Sequence, residues 1–523
     1  MNIPLSRRGS SGVFVLIFAV IALLAWHAGP DANYDLRNYH LYNGFAALNG
    51  KLGLDLAPAQ MQTFHAPRLD IAYFWLLGRL NTNPRLLACV LALPHAIATF
   101  VAFLIARELL PAETPARTIT ASFAVLLGAT GAGSLPTLAT TMSEMVPASL
   151  VLGGLLVLMR GAARDKHFSL FVGGLLLGAG AAVKLTAAIY CLGAGIALLL
   201  CWPARLRYRV SGLALMSFSA SLSAALIAGP WWLRLYSEYG NPLFPYFNEV
   251  FRSPFYDPVN LADRRFLPGS VTQALLYPLY WAIRPQTLVI ELPTRDPRFL
   301  LSWAAIVATA VPVLLRRWRL DSKELFLAVF FAGSFLLWEA QFSILRYLAP
   351  LELLSGAAML PLLRRLLVRH NLLVPSMAAL CLIAIPWTVY PDWGRARPFP
   401  PAVNVEFPQL PAGSLVVLLD PSPMAYVAAF APVSVRFVGA NNNLIHPGAT
   451  AGLGREIEAV IRGHAKPLWG LEDSRDAPGV ADTTLAYYGL RRGKECVQIR
   501  SNIDQDAIRL CPLLRGSRSG DVP

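Results

Sequence analysis

Hydrophobic runs of about 17 to 25 residues, long enough to cross a hydrocarbon core, recur along the chain as far as about residue 390. They predict helices at 12–28, 85–106, 118–134, 144–160, 168–183, 185–201, 211–233, 299–315, 324–341, 343–363 and 372–390. Residues 168–201 form one apolar stretch interrupted only by Lys184. A single helix of that length overshoots a bilayer, so two shorter helices meeting at Lys184 are expected. The predicted fold class is therefore an α-helical polytopic membrane protein of about eleven transmembrane helices over residues 1–390. Outer segments fall at 30–84 and 230–298. The second is rich in Pro, Tyr, Phe and Arg and reads as interfacial, with Trp281–Ile290 a candidate re-entrant stretch.

After Pro391 the pattern changes. Strand-like runs (Ser414–Asp420, Val433–Gly439, Cys496–Arg500) alternate with helix-like ones (Met424–Phe430, Gly454–Gly463, Thr483–Tyr488). Such alternation predicts a small C-terminal α/β domain over 391–523.

Composition agrees with a membrane class. Of 523 residues, 55% are hydrophobic and 15% charged, against about 25% charged in soluble chains. The formal net charge of +14 sits in short breaks between apolar runs: Arg7/Arg8, Arg160/Arg164/Lys166, Arg205/Arg207/Arg209, Arg316/Arg317/Arg319/Lys323 and Arg364/Arg365/Arg369. No basic stripe interleaved with aromatics accompanies it, so nucleic acid is not an expected partner. Lys/Arg-rich short loops mark the cytoplasmic side. With the N-terminus inside, every basic break falls on that side, and the odd helix count puts the C-terminal domain outside, on the periplasmic face of a bacterial inner membrane. Gly12–Ala28 follows Arg7 and Arg8, but His27 and Pro30 lead on without a small-residue cleavage site. An uncleaved first helix is expected rather than a removed signal.

Four of the six cysteines (Cys89, Cys191, Cys201, Cys381) lie in apolar helices and read as small hydrophobes. The other two differ. A turn centred on Ile503/Asp504 sets Cys496 opposite Cys511, close enough for a structural disulfide in an oxidising outer compartment.

Candidate chemistry concentrates on the outer side. The first outer segment is crowded with Asp31, Tyr34, Asp35, Asn38, Tyr39, His40, Tyr42, Asn43 and His65. A carboxylate such as Asp35 can take a proton from an acceptor hydroxyl or hold a divalent cation, or simply N-cap the helix beginning at Leu36. Tyr39, His40, Asn43 and His65 suit sugar or acceptor binding, and the two histidines equally suit an ordinary polar loop. Glu144 opens the fourth helix, as a second acid or as a residue favouring the helix dipole. Lys184 and Arg346 stand at outer helix ends, where they can bind a phosphate or snorkel to headgroups. Arg284, Arg234 and Arg295 are further phosphate candidates. Ionisable groups near membrane depth are costly and tend to line functional cavities.

These residues resemble the GT-C superfamily of membrane glycosyltransferases, which use polyprenyl-phosphate sugars. The resemblance is carried by the acidic, aromatic first outer loop with Asp35, by "SEMVPASLVL" with Glu144, and by "GAGAAVKLT" with Lys184. "YGNPLFPYFN" and "RYLAPLELL" with Arg346 complete it. It covers roughly residues 13–390, and it implies Asp35 as general base or metal ligand and Glu144 as the second acidic residue. It also implies Lys184 and Arg346 as phosphate binders, with a divalent metal (Mg or Mn) held by Asp35 and Glu144. The first loop reads Asp-Leu-Arg where several members have two acids one residue apart, which leaves the metal open. The expected activity is inverting transfer of a sugar from a polyprenyl-phosphate donor to a glycan, lipid or protein acceptor at the outer membrane face. The rivals are a secondary transporter, which would favour inverted repeats and midplane charges, and a non-catalytic envelope scaffold, which gives no reason for so crowded a first loop.

Overall fold

In the computed structural model, residues 7–112, 114, 116–161, 166–367, 369–475, 479–504 and 507–516 are described; Arg164 of the second basic break lies outside them. Apolar helices occupy all eleven predicted stretches: α1 (Arg7–Ala28), α2 (Leu93–Glu108), α3 (Arg117–Ala129), α4 (Met145–Gly161), α5 (Lys166–Val183), α6 (Ala188–Cys201), α7 (Leu206–Tyr239), α8 (Arg298–Leu314), α9 (Ser322–Gln341), α10 (Ala349–Leu366) and α11 (Leu373–Trp387). Four helical stretches, Gly9–Ala28, Pro84–Glu108, Leu206–Tyr239 and Ser322–Gln341, are long and apolar enough to cross a membrane by length and composition. The chain is a polytopic membrane protein.

Two helices differ from expectation. The stretch 85–106 is broken at Ala92 into Pro84–Leu91 and α2. Pro94 has no N–H to offer the carbonyl four residues back, so the ladder cannot run through. The stretch 118–134 ends at Ala129, where Thr130 turns its hydroxyl back to the Leu126 carbonyl (2.7 Å). Residues beyond it enter a loop wrapped on Glu352 of α10, with the Gly133 N–H donating to its Oε1 at 2.9 Å. The long apolar stretch 168–201 does divide at Lys184, which is extended (φ −144°, ψ 112°) between α5 and a 3-10 turn leading into α6.

The outer stretch Tyr277–Ile290 packs into the helical core. Trp281 is buried against Phe299 of α8 and Trp338 of α9, with ring centroids 5.4 and 5.7 Å apart. The opposite end of the bundle is laced by ion pairs: Arg160 to Glu108 (2.8 Å), Lys323 to Glu108, and Arg364 and Arg365 to Glu324 (2.9 and 2.7 Å). Three of the basic breaks thus meet at one end of the bundle.

The C-terminal region carries β1 (Val405–Glu406), β2 (Leu415–Leu418), β3 (Arg436–Gly439), β4 (Leu468–Asp473), β5 (Leu490–Arg492), β6 (Val497–Gln498), β7 (Arg500–Ser501) and β8 (Ile508–Arg515). The main sheet runs β3-β2-β4-β8-β5, with β6 also paired to β8. Strands β3, β2 and β4 are parallel, while β8 runs antiparallel to β4. Helices Gly452–Gly463 and Val480–Tyr488 accompany it, and Ala425–Phe430 is a 3-10 helix rather than an α-helix. The pairing Val497↔Leu510 places Cys496 opposite Cys511, and the two form a disulfide with Cα atoms 4.1 Å apart.

This region packs directly on the first outer segment. Leu36, Tyr39 and Tyr42 share one buried core with Val416, Leu418, Met424 and Tyr426. Leu56 pairs in parallel with Val438, so the loop covers the free edge of β3. The Phe437 N–H and the Tyr42 hydroxyl both donate to Asp55 (3.0 and 3.1 Å), and Lys51 donates to the Val435 carbonyl (2.6 Å). Arg37 pairs with Asp504 at 3.1 Å. Burial raises the Asp55 carboxyl to about 6.

Candidate functional site

The site begins where α1 ends. Asp31 accepts from the N–H and hydroxyl of Thr141 (both 2.7 Å) and from the Asn33 N–H (3.0 Å). It thereby clamps the first outer segment to the loop that leads into α4. The Asn33 side chain in turn takes the Leu36 N–H (2.7 Å), and Leu36–His40 form a π-helical turn that runs into helix Leu41–Leu48. Wide turns of this kind gather at functional sites because they re-aim side chains. Asp35 precedes the turn without capping it. The simple cap reading of Asp35 does not describe it.

Instead Asp35 meets Arg346, Nη1 to Oδ2, at 2.6 Å. Glu144, just before α4, meets Lys184 at 2.7 Å and lies 3.8 Å from Nε of Arg346. The helix ends put them there: α1 leaves the bundle, α4 enters, α5 leaves and α10 enters at the same end. All four side chains are mostly buried, Glu144 at 3% exposure and Lys184, the most open, at 21%. The Tyr347 ring lies between the cations, 5.5 Å from Lys184 Nζ and 5.6 Å from Arg346 Cζ, and Trp393 is 5.8 Å from the guanidinium. Tyr190 fixes Tyr347 through its backbone carbonyl (2.6 Å). Glu144, Tyr190, Arg346, Tyr347 and Pro350 line a cleft of about 230 Å³. Nε of Arg346 is buried and makes no hydrogen bond. A phosphate suits such a place, because two cations and a free donor converge on it.

A second group adjoins the first. His40 Nδ1 meets Asp70 Oδ1 at 2.6 Å. The approach requires Gly44, since a Cβ there would fall 2.4 Å from the Asp70 carbonyl oxygen. Tyr39 lies tilted against the His40 ring, with centroids 3.9 Å apart, and meets His65 edge-on at 5.5 Å. His65 Nε2 bonds the Tyr246 hydroxyl at 3.0 Å, which brings "YGNPLFPYFN" to the site. Asn43 donates to the Gln62 carbonyl (2.9 Å).

The electrostatics of the two groups are joined. Burial alone would raise the Asp35 carboxyl, yet Arg346, His40 and Lys184 together hold it below its ordinary value. Burial lowers His65 to about 4, and the nearby His40 and Lys184 add to this. Asp35 is therefore a stably ionised carboxylate committed to a guanidinium.

The structure brings Asp35, Glu144, Lys184 and Arg346 together, with Tyr39, His40, Asn43 and His65 beside them. Arg284 does not join them: it is exposed at the end of helix Tyr277–Ile283, with no ion pair to the cluster among the described residues. The apolar Tyr277–Ile283 face turns into the core and leaves Arg284 outward. Asp70, Tyr347 and Trp393 were missed. Tyr347 was within reach, being adjacent to Arg346; the others depend on contacts between remote segments. A divalent metal does not fit the donor set. Asp35 and Glu144 each face a cation, and no group of three or more His, Cys, Asp or Glu arranged for a metal occurs among the described residues.

No family model and no curated protein matches the chain. Solved structures do, two forms of one protein among them. ArnT from Cupriavidus metallidurans bound to undecaprenyl phosphate aligns over 97% of this chain and 98% of its own, at 12% identity and a TM-score of 0.54. The apo form of ArnT aligns over 96% and 98%, at 11% identity and a TM-score of 0.53. The shared fold extends over the membrane bundle and the C-terminal domain alike.

Proposed function

We propose that the protein transfers a sugar, with inversion, from a polyprenyl-phosphate carrier to an acceptor at the outer face of a bacterial inner membrane. The observation that carries this is the convergence of Lys184 and Arg346 on either side of Tyr347, with Arg346 Nε buried and making no hydrogen bond. An ArnT of the same fold binds undecaprenyl phosphate, and a lipid phosphate needs only such a pair of cations at the bundle end. When the bond between the sugar and the phosphate breaks, the leaving phosphate gains charge, and preorganised cations in a water-poor site stabilise it. Glu144 and Asp35 hold those cations in place, so little reorganisation is needed at the moment of reaction. Asp35 also keeps negative charge next to the site where the anomeric carbon becomes electron-poor.

Two measurements test this. Lipid extracts of cells lacking the protein should accumulate a polyprenyl-phosphate sugar that wild-type cells do not. Purified protein in nanodiscs should bind undecaprenyl phosphate, and Lys184→Ala and Arg346→Ala should each weaken it by tenfold or more. Absence of both the lipid and the binding rejects the reading.

A further inference from the structure

We propose that His40, oriented by Asp70, is the base that removes the proton from the incoming acceptor; this rests on the transfer reading above. Four observations lead there. First, Asp35 is already spoken for by Arg346 at 2.6 Å, which favours its ionised form. Second, His40 Nδ1 faces the Asp70 carboxylate at 2.6 Å, which fixes the proton on Nδ1 and leaves Nε2 as the acceptor. Third, His40 is only 5% exposed, and its Nε2 is buried with no hydrogen-bond partner in the protein. A buried polar atom is costly to leave unbonded, and a nucleophile's hydroxyl or amine would satisfy it. Fourth, the dyad adjoins the phosphate cluster: His40 lies one π-helical turn after Asp35.

The aromatic setting fits a neutral, hydroxyl- or amine-bearing acceptor. Tyr39 lies tilted against His40, and His65 and Tyr246 close the far side. In the step, the acceptor's O–H (or N–H) bond breaks as its proton passes to Nε2. The freed electron pair forms the new bond to the anomeric carbon. The bond from that carbon to the phosphate oxygen breaks, and its electrons leave with the polyprenyl phosphate, which Lys184 and Arg346 hold. His40 becomes an imidazolium whose charge Asp70 balances, and it returns the proton to water. No metal or redox partner is required.

The test uses the full chain reconstituted into membrane vesicles from cells lacking the protein, which supply donor lipid and acceptor; loss of the accumulated carrier-linked sugar is followed. His40→Ala should slow turnover by about 10²–10⁴-fold while binding undecaprenyl phosphate as the wild type does. Added imidazole should restore at least a tenth of the wild-type rate. A merely structural histidine would not be rescued. Asp70→Asn should shift the acid limb of the pH–rate profile to lower pH. The groups facing His40 are unchanged in that variant: Asp35 and Tyr39 from its own turn, His65 and Tyr246 across the ring stack, and Lys184 and Arg346 from the bundle. A loss below tenfold in His40→Ala, a full loss that imidazole does not relieve with binding intact, or an unmoved profile in Asp70→Asn overturns the assignment. His40→Gln, which fills the space without a basic nitrogen, should match His40→Ala; wild-type activity in it also overturns the proposal. If the wild-type protein itself neither binds undecaprenyl phosphate nor consumes the lipid, the transfer reading fails instead.

Discussion

Glu144→Gln should tighten, not loosen, the grip on undecaprenyl phosphate. Formally the cluster is neutral: Asp35 and Glu144 offset Lys184 and Arg346. A phosphate must therefore compete with two carboxylates for the same cations. Glu144 Oε1 sits 2.7 Å from Lys184 Nζ. A phosphate oxygen on the far side of that ammonium, at a charge-assisted distance of about 2.8 Å, would lie roughly 5.5 Å from Glu144. At an effective dielectric near 20, that repulsion is about 3 kcal/mol per unit of phosphate charge. Relaxation and solvent around Lys184 reduce this, so about 1.4 kcal/mol, or tenfold in affinity, is a conservative expectation. The glutamine keeps the shape and removes the charge. Equilibrium binding of undecaprenyl phosphate to nanodisc-embedded protein at fixed ionic strength measures it directly. Turnover should fall at the same time, because the product would leave more slowly and Lys184 would be less firmly held. Equal or weaker binding in Glu144→Gln would mean that Glu144 does not oppose the phosphate, and the cleft would not be the phosphate site.

Two further outcomes concern the join between the first outer segment and the C-terminal domain, and a third the C-terminal domain itself. Asp55 has a raised carboxyl, about 6 in the folded protein against 3.8 unperturbed. Its protonated form favours the fold, so that contribution is complete below about pH 4 and fades as pH rises through 6, by up to about 3 kcal/mol. Thermal melts of Asp55→Asn should lose this pH dependence; an unchanged slope would contradict it. Arg37→Ala removes the ion pair to the nearly buried Asp504, which should cost about 1–3 kcal/mol and speed proteolysis between the two regions. An unaltered digestion rate would count against a docking role. Cys511→Ser opens a loop of 15 residues, worth about 3 kcal/mol by loop entropy; melting that reductant does not affect in the wild type would argue that the bridge carries little.

The parts of the site differ in how far they could be read from the chain, and the difference is one of range. Asp35, Glu144, Lys184 and Arg346 were legible because each stands at a boundary between apolar and polar sequence. Sidedness, set by counting helices, then implies a common end of the bundle. Arg284 stands at a similar boundary, yet the neighbouring Trp281 is drawn into the core and leaves it outside. The His40–Asp70 pair had no local signature, because its partners are brought together only when helix Leu41–Leu48 crosses Arg68–Leu80 at Gly44.

By itself the sequence determined the number and place of the apolar helices, the break at Lys184, the basic end of the bundle and the opposed cysteines. These follow from hydrophobic periodicity, helix breakers and charge, all local properties of the chain. It also implied the acidic and basic residues that the fold gathers. Tertiary structure alone decided which carboxylate meets which cation, that Asp35 serves Arg346 rather than a helix cap, and that the first outer segment seals the β3 edge. Strand β4 likewise became evident only in the sheet, since a short, almost wholly buried strand carries no alternation to read. Such choices turn on distances of a few ångströms between segments hundreds of residues apart, and no local pattern encodes them.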